Sequence, residues 1–502
     1  MFQGLSAAAR LAGAGWRLAR ADALLPRELR PLYPPGLERL SRLAGVLAGP
    51  AAHRGRPGER LARCLEGMGP VAIKLGQLLS TRADIFGAEF AQDLARLKDR
   101  LAPFPLEVAR QEIAASLGRP VESLFFELGP PVAAASLAQA HEARLHDGRR
   151  VAVKVLRPGI ERRVEADARV MGLAAGLAER FAPDAKRLEP RTLAASVIES
   201  VRRELDLRLE AAGADELGGI MARDGHMSAP AVVWEGVGRR VLTLEWARGA
   251  PLSDPASLEA PGIDRQALAT GLIRAFLAQA LDHGVFHADL HEGNLFVSAP
   301  DRIEAVDFGI VGRLGPDQRR YLAEILWGFL QRDYDRVARI HFEAGYVPAR
   351  HATGDFAQAL RAVGEPIFGR TARDVSMSRV LIQLFEITGQ FDMHLRPELV
   401  LLQKTMMTAE GVARSIWPDL DIWTAADPVV RRWMTRELSP AARLNRLGEQ
   451  AGRVLSRLAA LAETPPPPPP APARRGPGTA VLLAAGALAA ALTALGLTIS
   501  AL

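Results

Sequence analysis

The chain has 502 residues, 48% of them apolar and 24% charged, so it can bury large cores and wholesale disorder is excluded. Its net charge of +6 is spread along arginine-rich helical stretches without interleaved aromatic residues, which argues against nucleic-acid binding and suits an anionic membrane surface. The single cysteine, Cys64, excludes an internal disulfide and fits a reducing compartment.

The opening "MFQGLSAAARLAGAGWRLARADALL" is punctuated by arginines and lacks the continuous apolar core of a signal peptide. Residues 1–115 read as a helical extension rich in Ala, Leu and Arg, broken at "YPPG" and "RGRPG". From about residue 120 the texture changes to short β-type runs, "SLFFEL", "SLAQAHEARL" and "RRVAVKVL". Helical periodicity returns from Glu161 to about Leu217, and a strand pair, "AVVWEGV" and "RRVLTLEW", completes a small β-rich lobe over 116–250 with a helical insertion. A helix then begins near Asp264, with Leu268, Leu272, Ile273, Phe276, Leu277 and Leu281 on one apolar face and Gly284 at its C-terminal end. The loop "VFHADLHEGNLFV" follows, then short strands "NLFV" and "RIEAVD", then helix from Pro316 to about Ala462, giving a helical lobe over 251–462.

Residues 463–478 form a proline-rich linker that cannot pack and should be extended. Residues 479–502 carry no charge. As a helix at ~1.5 Å per residue they span about 36 Å, enough to cross a hydrocarbon core of ~30 Å. Arg474 and Arg475 flank this segment on its N-terminal side, which places the main body in the cytoplasm. The expected architecture is α+β and bilobal, with an N-terminal helical extension and a C-terminal transmembrane helix.

Phosphoryl transfer needs oxygen ligands for Mg2+ and a carboxylate beside the attacking group. Protein kinases meet that need with a catalytic loop H-R-D-x-x-x-x-N followed by D-F-G. Here His287-Ala288-Asp289 precedes Asn294 at the same spacing, and Asp307-Phe308-Gly309 comes after a strand pair of fitting length. Lys154, in "VAVKVL", matches the strand lysine of the V-A-I-K pattern, whose charge meets nucleotide phosphates when a helix glutamate orients it. Where a kinase carries a glycine-rich loop, this chain has "PVAAASLAQAHEARL", with Ala133, Ala134, Ala135 and Ser136. Alanine forbids the positive φ open to glycine, so a stiffer phosphate loop is expected. His283, His287 and His291 recur every four residues, as zinc ligands on a helix would, but Gly284 should end the helix before they can stack. Only "IVGRL" separates Gly309 from Gly315, too little for an activation segment or a peptide-docking platform.

With these motifs the chain resembles the UbiB family of atypical kinase-like proteins, which is linked to ubiquinone biosynthesis. "GPVAIKLGQLLSTRADI" contains the K-x-G-Q element, highly specific to the family, as Lys74, Gly76 and Gln77. "AAASLAQAH" is similar to the family's alanine-rich loop, with Ala138 where glycine is usual. "ELDLRLEAAGADEL" matches the E-x-D element at Glu204 and Asp206, with Glu210 in the place of the lysine's helix partner. "HADLHEGN" is similar to H-A-D-P-H-P-G-N, with Leu290 and Glu292 replacing two prolines, a change that bears on loop rigidity and not on the Mg2+ ligands. The likeness covers about residues 55–415.

The resemblance implies a protein-kinase-like fold that uses ATP or ADP with Mg2+. Lys154 would pair with Glu210 and touch the α/β-phosphates, Asn294 and Asp307 would hold Mg2+, and Asp289 would be the catalytic carboxylate. Glu245 and Trp246 would begin a hinge, running to Gly249, that reads adenine through its backbone. Lys74, Gln77, Glu204 and Asp206 would form a lid over the peptide entrance, with Asp206 as the partner of Lys74. The implied function is a membrane-anchored atypical kinase or ATPase supporting ubiquinone biosynthesis at the inner, cytoplasmic membrane. Its partners would be membrane lipid, quinone precursors, quinone-biosynthesis enzymes and a second copy of the chain. The alternatives are a nucleotide-binding scaffold without turnover and a small-molecule phosphotransferase.

Overall fold

The computed structural model describes residues 2–437, apart from 24–25, 29–40, 43–44, 50–51, 53–54, 81–87, 96, 98–101, 182–188, 369–386, 388–389 and 394–396. These residues divide into two compact units. One gathers 2–211 and 232–246, the other 212–231 and 247–437.

The first unit begins with α1 (Phe2–Arg20), α2 (Pro57–Glu66), α3 (Pro70–Ser80) and α4 (Ala88–Ala95). Leu11 and Leu18 of α1 share a core with Leu61, Leu65, Leu79 and Leu94 from the other three helices. A side chain at Gly76 on α3 would run into Leu65 and Leu97, so only glycine lets this helix approach so closely. After α5 (Leu106–Leu117) comes an antiparallel sheet in the order β1 (Phe125–Ala134), β2 (Ala138–Leu145), β3 (Arg150–Leu156), β4 (Val241–Glu245). Strand alternation sends Val151, Val153 and Val155 into the core with Ile113 of α5, each fully buried and contributing roughly 1.5–3 kcal/mol. Ala152 and Lys154 stand on the opposite face. The helical insertion is α6 (Ile160–Phe181), α7 (Pro190–Glu204) and α8 (Leu207–Asp224), whose first turn belongs to this unit.

One expected strand is not a strand. "AVVWEGV" makes a single bridge, Val232 to Leu244, and then a 3-10 turn at Trp234–Gly236. The turn is locked where the Thr243 hydroxyl donates to the Gly236 carbonyl at 2.9 Å, and a side chain at Gly236 would collide with Thr243.

In the second unit, Asp264 caps α9 (Arg265–Ala278) by accepting the Ala267 N–H at 2.9 Å. The expected apolar face is present, with Leu268, Leu272, Ile273, Phe276 and Leu277 all buried against later helices. The helix widens into one π-helical turn, Gln279–His283, before Gly284 ends it at φ +70°. A two-stranded sheet pairs β6 (Val285–His287) with β9 (Val311–Arg313). A three-stranded one runs β5 (Ala250–Pro251), β7 (Leu295–Ser298), β8 (Arg302–Ala305). The run "RIEAVD" leaves its ladder at Ala305. Among the described residues the helices that follow are α10 (Pro316–Leu330), α11 (Tyr334–Glu343), α12 (Thr353–Phe368), α13 (Pro397–Ile416) and α14 (Ile422–Glu437). The end of the expected helical lobe, the linker at 463–478 and the expected membrane helix at 479–502 lie outside the described residues. Among the described residues no helix is long and apolar enough to cross a membrane.

Candidate active site

In the first unit, Lys154 sits in the middle of β3, paired with Ala140 on one side and Leu242 on the other. Its Nζ lies 2.7 and 2.9 Å from the two carboxylate oxygens of Glu210 on α8. Glu210 is buried, 9% exposed, while the lysine side chain keeps 29% of its surface open. A carboxylate that far from water needs its cation, so the pair holds the ammonium group in one place while leaving it accessible.

The alanine-rich segment is mostly strand. Ala133 and Ala134 close β1, in register with Ala140 and Gln139, and only Ala135, Ser136 and Leu137 form the turn. The Ala135 N–H donates to the Ala138 carbonyl at 2.8 Å. Arg157 braces the turn twice: its Nε donates to the Ala135 carbonyl at 2.9 Å and its backbone N–H to the Leu137 carbonyl at 2.8 Å. Ser136 is buried. This is a tight hairpin turn, stiff as alanine requires, and shorter than the sequence led us to expect.

At the expected hinge, the Trp246 N–H donates to the Arg150 carbonyl at 2.9 Å, extending the β3–β4 ladder by one bond. Its ring carries the Arg150 guanidinium at 4.9 Å, and Glu245 pairs with Arg149 at 3.0 Å. The backbone donor of Trp246 is therefore engaged within the sheet and is not available to a base.

The lid pairing differs from expectation. Lys74, on α3, forms an ion pair with Glu204 at the end of α7, both side chains less than a quarter exposed. Asp206 instead takes Arg208, at 2.6 and 2.8 Å, and hydrogen bonding from that guanidinium holds its carboxyl below the usual range. A single residue separates Glu204 from Asp206. The helix ends between them, at Leu205, so the two carboxylates leave the chain in different directions. Gln77 lies one turn beyond Lys74 on α3.

In the second unit the expected catalytic loop is a web of short bonds. His287 is fully buried: its Nε2–H donates to the Val306 carbonyl at 3.1 Å, and its Nδ1 accepts the Asp289 N–H at 3.1 Å. Burial pushes its pKa down, so the neutral ring with a fixed tautomer is the form present. The Asn294 side-chain NH2 donates to the Asp289 carbonyl at 3.0 Å, and the Asn294 carbonyl accepts the Val306 N–H at 2.9 Å. Asn294 thus ties Asp289 to the residue beside Asp307, and its Oδ1 takes no part in these two bonds.

Asp307 adopts φ +59°, a left-handed conformation uncommon outside glycine, steadied by the Gly309 N–H on its Oδ1 at 3.3 Å. It is exposed, and Asp289 half-buried. The two substituted prolines are replaced by other restraints. Leu290 is fully buried, Glu292 accepts the Ser415 hydroxyl of α13 at 2.7 Å, and Thr405 of α13 donates to the Ala288 carbonyl at 3.1 Å. After Phe308, the chain returns at once as β9 alongside β6, where Arg313 pairs with Glu216 at 2.5 and 3.0 Å.

The three regularly spaced histidines do not converge. His283 bonds Asp224 at 3.0 Å, His287 bonds its own loop, and His291 accepts the Gly293 N–H at 3.0 Å. The two residues expected to hold a cation, Asp307 and Asn294, offer a carboxylate and an amide oxygen, hard oxygen ligands few in number. That fits Mg2+, which keeps most of its waters or takes phosphate oxygens instead. Sequence reasoning missed Arg157, Gln279 and Thr405, which act by holding backbone. An arginine after a strand, a glutamine at a helix end and a threonine more than a hundred residues away carry no motif signal of their own.

Two domain families match. Residues 96–341 match the ABC1 atypical kinase-like domain, and residues 360–421 the UbiB helical domain. Among curated relatives, a protein named "Probable protein kinase UbiB" from Marinobacter nauticus is 42% identical over 389 residues, covering 76% of this chain and 71% of its own length. Proteins of the same name from Pseudomonas aeruginosa and Aeromonas hydrophila are each 40% identical. The first covers 80% of this chain and 77% of its own length, the second 81% and 76%. Among solved structures, Rv3197 of Mycobacterium tuberculosis, in complex with erythromycin, aligns with TM-score 0.49 and 22% identity. It covers 70% of this chain and 90% of that one.

Proposed function

The chain belongs to the UbiB family of atypical kinase-like proteins, and from that premise we propose that it is a Mg2+- and ATP-dependent kinase or ATPase supporting ubiquinone biosynthesis. The observation that carries this reading is Asn294, whose side-chain amide and backbone carbonyl join the Asp289 loop to the Asp307 segment while its Oδ1 is left for a cation. In the second unit, Asn294 and Asp307 would hold Mg2+, which when bound neutralises phosphate charge. Asp289 would orient the attacking hydroxyl or water. In the first unit, Lys154, fixed by Glu210, would meet phosphate oxygens, and the braced turn at Ala135 would present its backbone to them.

The short link between Gly309 and α10 favours a small acceptor, or water, over a peptide. We place the protein at the inner membrane, anchored through residues 479–502 with its body in the cytoplasm, where quinone precursors and the enzymes that modify them would be its partners.

The test is Asp307→Asn. In the parent, ATP with magnesium at a hundred times its Kd should raise stability by about 2.7 kcal/mol. The variant should fold, lose that stabilisation and hydrolyse no ATP. In a deletion strain it should leave the same quinone intermediates unconverted as the empty vector does. Magnesium-dependent stabilisation equal to the parent's would refute the assignment.

A further inference from the structure

The π-helical turn at the end of α9 has a purpose that the motifs do not record. Inserting one residue into a helical turn shifts every following side chain around the axis by about 100° and leaves carbonyls without their regular partners. The carbonyls of the last turn, which have no partner within any helix, are taken up here by tertiary donors. Trp433 Nε1–H, from α14, donates to the Leu281 carbonyl at 2.9 Å, and Arg319 Nη1–H, from α10, donates to the Asp282 carbonyl at 3.1 Å. The side chains of the turn are clamped as well. Asp282, 9% exposed, accepts from Arg432 and Arg436 of α14 at 2.8 Å each, and His283 bonds Asp224. Five restraints on three of its five residues make this turn rigid, and they come from three other helices.

What the turn presents inward is Gln279. It is 1% exposed, and its Oε1 accepts the His287 N–H at 3.0 Å. His287 is the residue whose ring holds the Asp289 N–H on one nitrogen and the Val306 carbonyl on the other. The Gln279 Nε2, by contrast, has no partner among the described residues although it is buried. A buried amide normally satisfies both ends, and leaving a donor unmet is costly. The position therefore keeps a glutamine for its oxygen, at the expense of its nitrogen.

We propose that Gln279 is a positioning residue for the catalytic loop: its amide oxygen, aimed by a π-helical turn that α14 clamps, sets the His287 backbone and through it Asp289. The proposal rests on the catalytic reading above. It assigns to α14, which touches neither Asp289 nor Asp307 in any bond described here, a share in holding the site.

The experiment uses the full chain and three variants. Gln279→Met removes one unmet buried donor, the Nε2–H, and leaves another, the His287 N–H, so the two costs offset and thermal stability should stay close to the parent's. The amides of His287 and Asp289 should exchange with deuterium faster, and kcat for magnesium-dependent ATP hydrolysis should fall ten- to hundredfold with ATP affinity within about twofold, as expected of a group slightly misplaced and not lost. Gln279→Glu restores an oxygen at the same point and should recover kcat to within about threefold of the parent. Trp433→Phe, which removes the clamp on Leu281 together with some buried ring volume, should speed the same amides and lower kcat by a smaller factor. A Gln279→Met protein that unfolds, or loses kcat and ATP affinity in proportion, assigns Gln279 a structural role and overturns the proposal. So does one with parental kcat and parental exchange. A parent that hydrolyses no ATP overturns this proposal together with the reading beneath it, whereas an active parent matched by Gln279→Met overturns the positioning role alone.

Discussion

Lys74 shows how much can turn on one side chain's choice of partner. Its family element singles it out, but the carboxylate it meets is Glu204 and not Asp206, which Arg208 has already claimed. A half-buried pair of this kind contributes ~1 kcal/mol, and removing one partner leaves the other charge poorly solvated. Lys74→Ala and Glu204→Ala should therefore behave alike, each losing the ability to restore ubiquinone synthesis in a deletion strain while still binding nucleotide. Asp206→Ala should not follow them. If Asp206→Ala fails to rescue and Glu204→Ala succeeds, the pairing has been read the wrong way round.

At the scale of elements, the phosphate-loop region is governed by its brace more than by its alanines. Ala134 lies in the β1–β2 ladder opposite Gln139, so Ala134→Gly would weaken a strand and not loosen a loop. The residue that stiffens the turn is Arg157, through its Nε to Ala135 and its stacking over Phe104 at 5.8 Å. Arg157→Ala removes one such hydrogen bond, worth roughly 0.5–1.5 kcal/mol, and ATP affinity should fall about two- to tenfold with kcat little changed. Unchanged affinity by nucleotide titration would mean that the turn needs no brace to meet phosphate. The catalytic loop follows the same logic. Where relatives of this kind use prolines, Leu290 and Glu292 obtain their rigidity from a buried side chain and from Ser415 on α13.

For the whole molecule, the expectation is that the lobes and the tail are independent. A run of six prolines cannot share a core with either unit, and the apolar stretch after it carries no charge to hold it in water. Deleting everything after Glu463 should release the protein from membranes and leave its melting temperature and its magnesium-ATP response unaltered. A truncated chain that still sediments wholly with membranes would move the anchor to the N-terminal helices, where α1 exposes Trp16 beside Arg17 and Arg20.

The sequence by itself determined most of the elements and the spacing of the candidate site residues. The period-two run "RRVAVKVL", the helical face from Leu268 to Leu277 and the spacing of Asp289, Asn294 and Asp307 are local patterns, and local patterns survive being read one residue at a time. Tertiary structure alone decided which groups hold those patterns in place. Glu204 over Asp206, Arg157 on the alanine turn and the π-helical turn aiming Gln279 all depend on residues far apart in the chain or on a single inserted residue. Hydrogen bonds and ion pairs of this sort are fixed by direction and distance, which no composition, periodicity or motif spacing encodes.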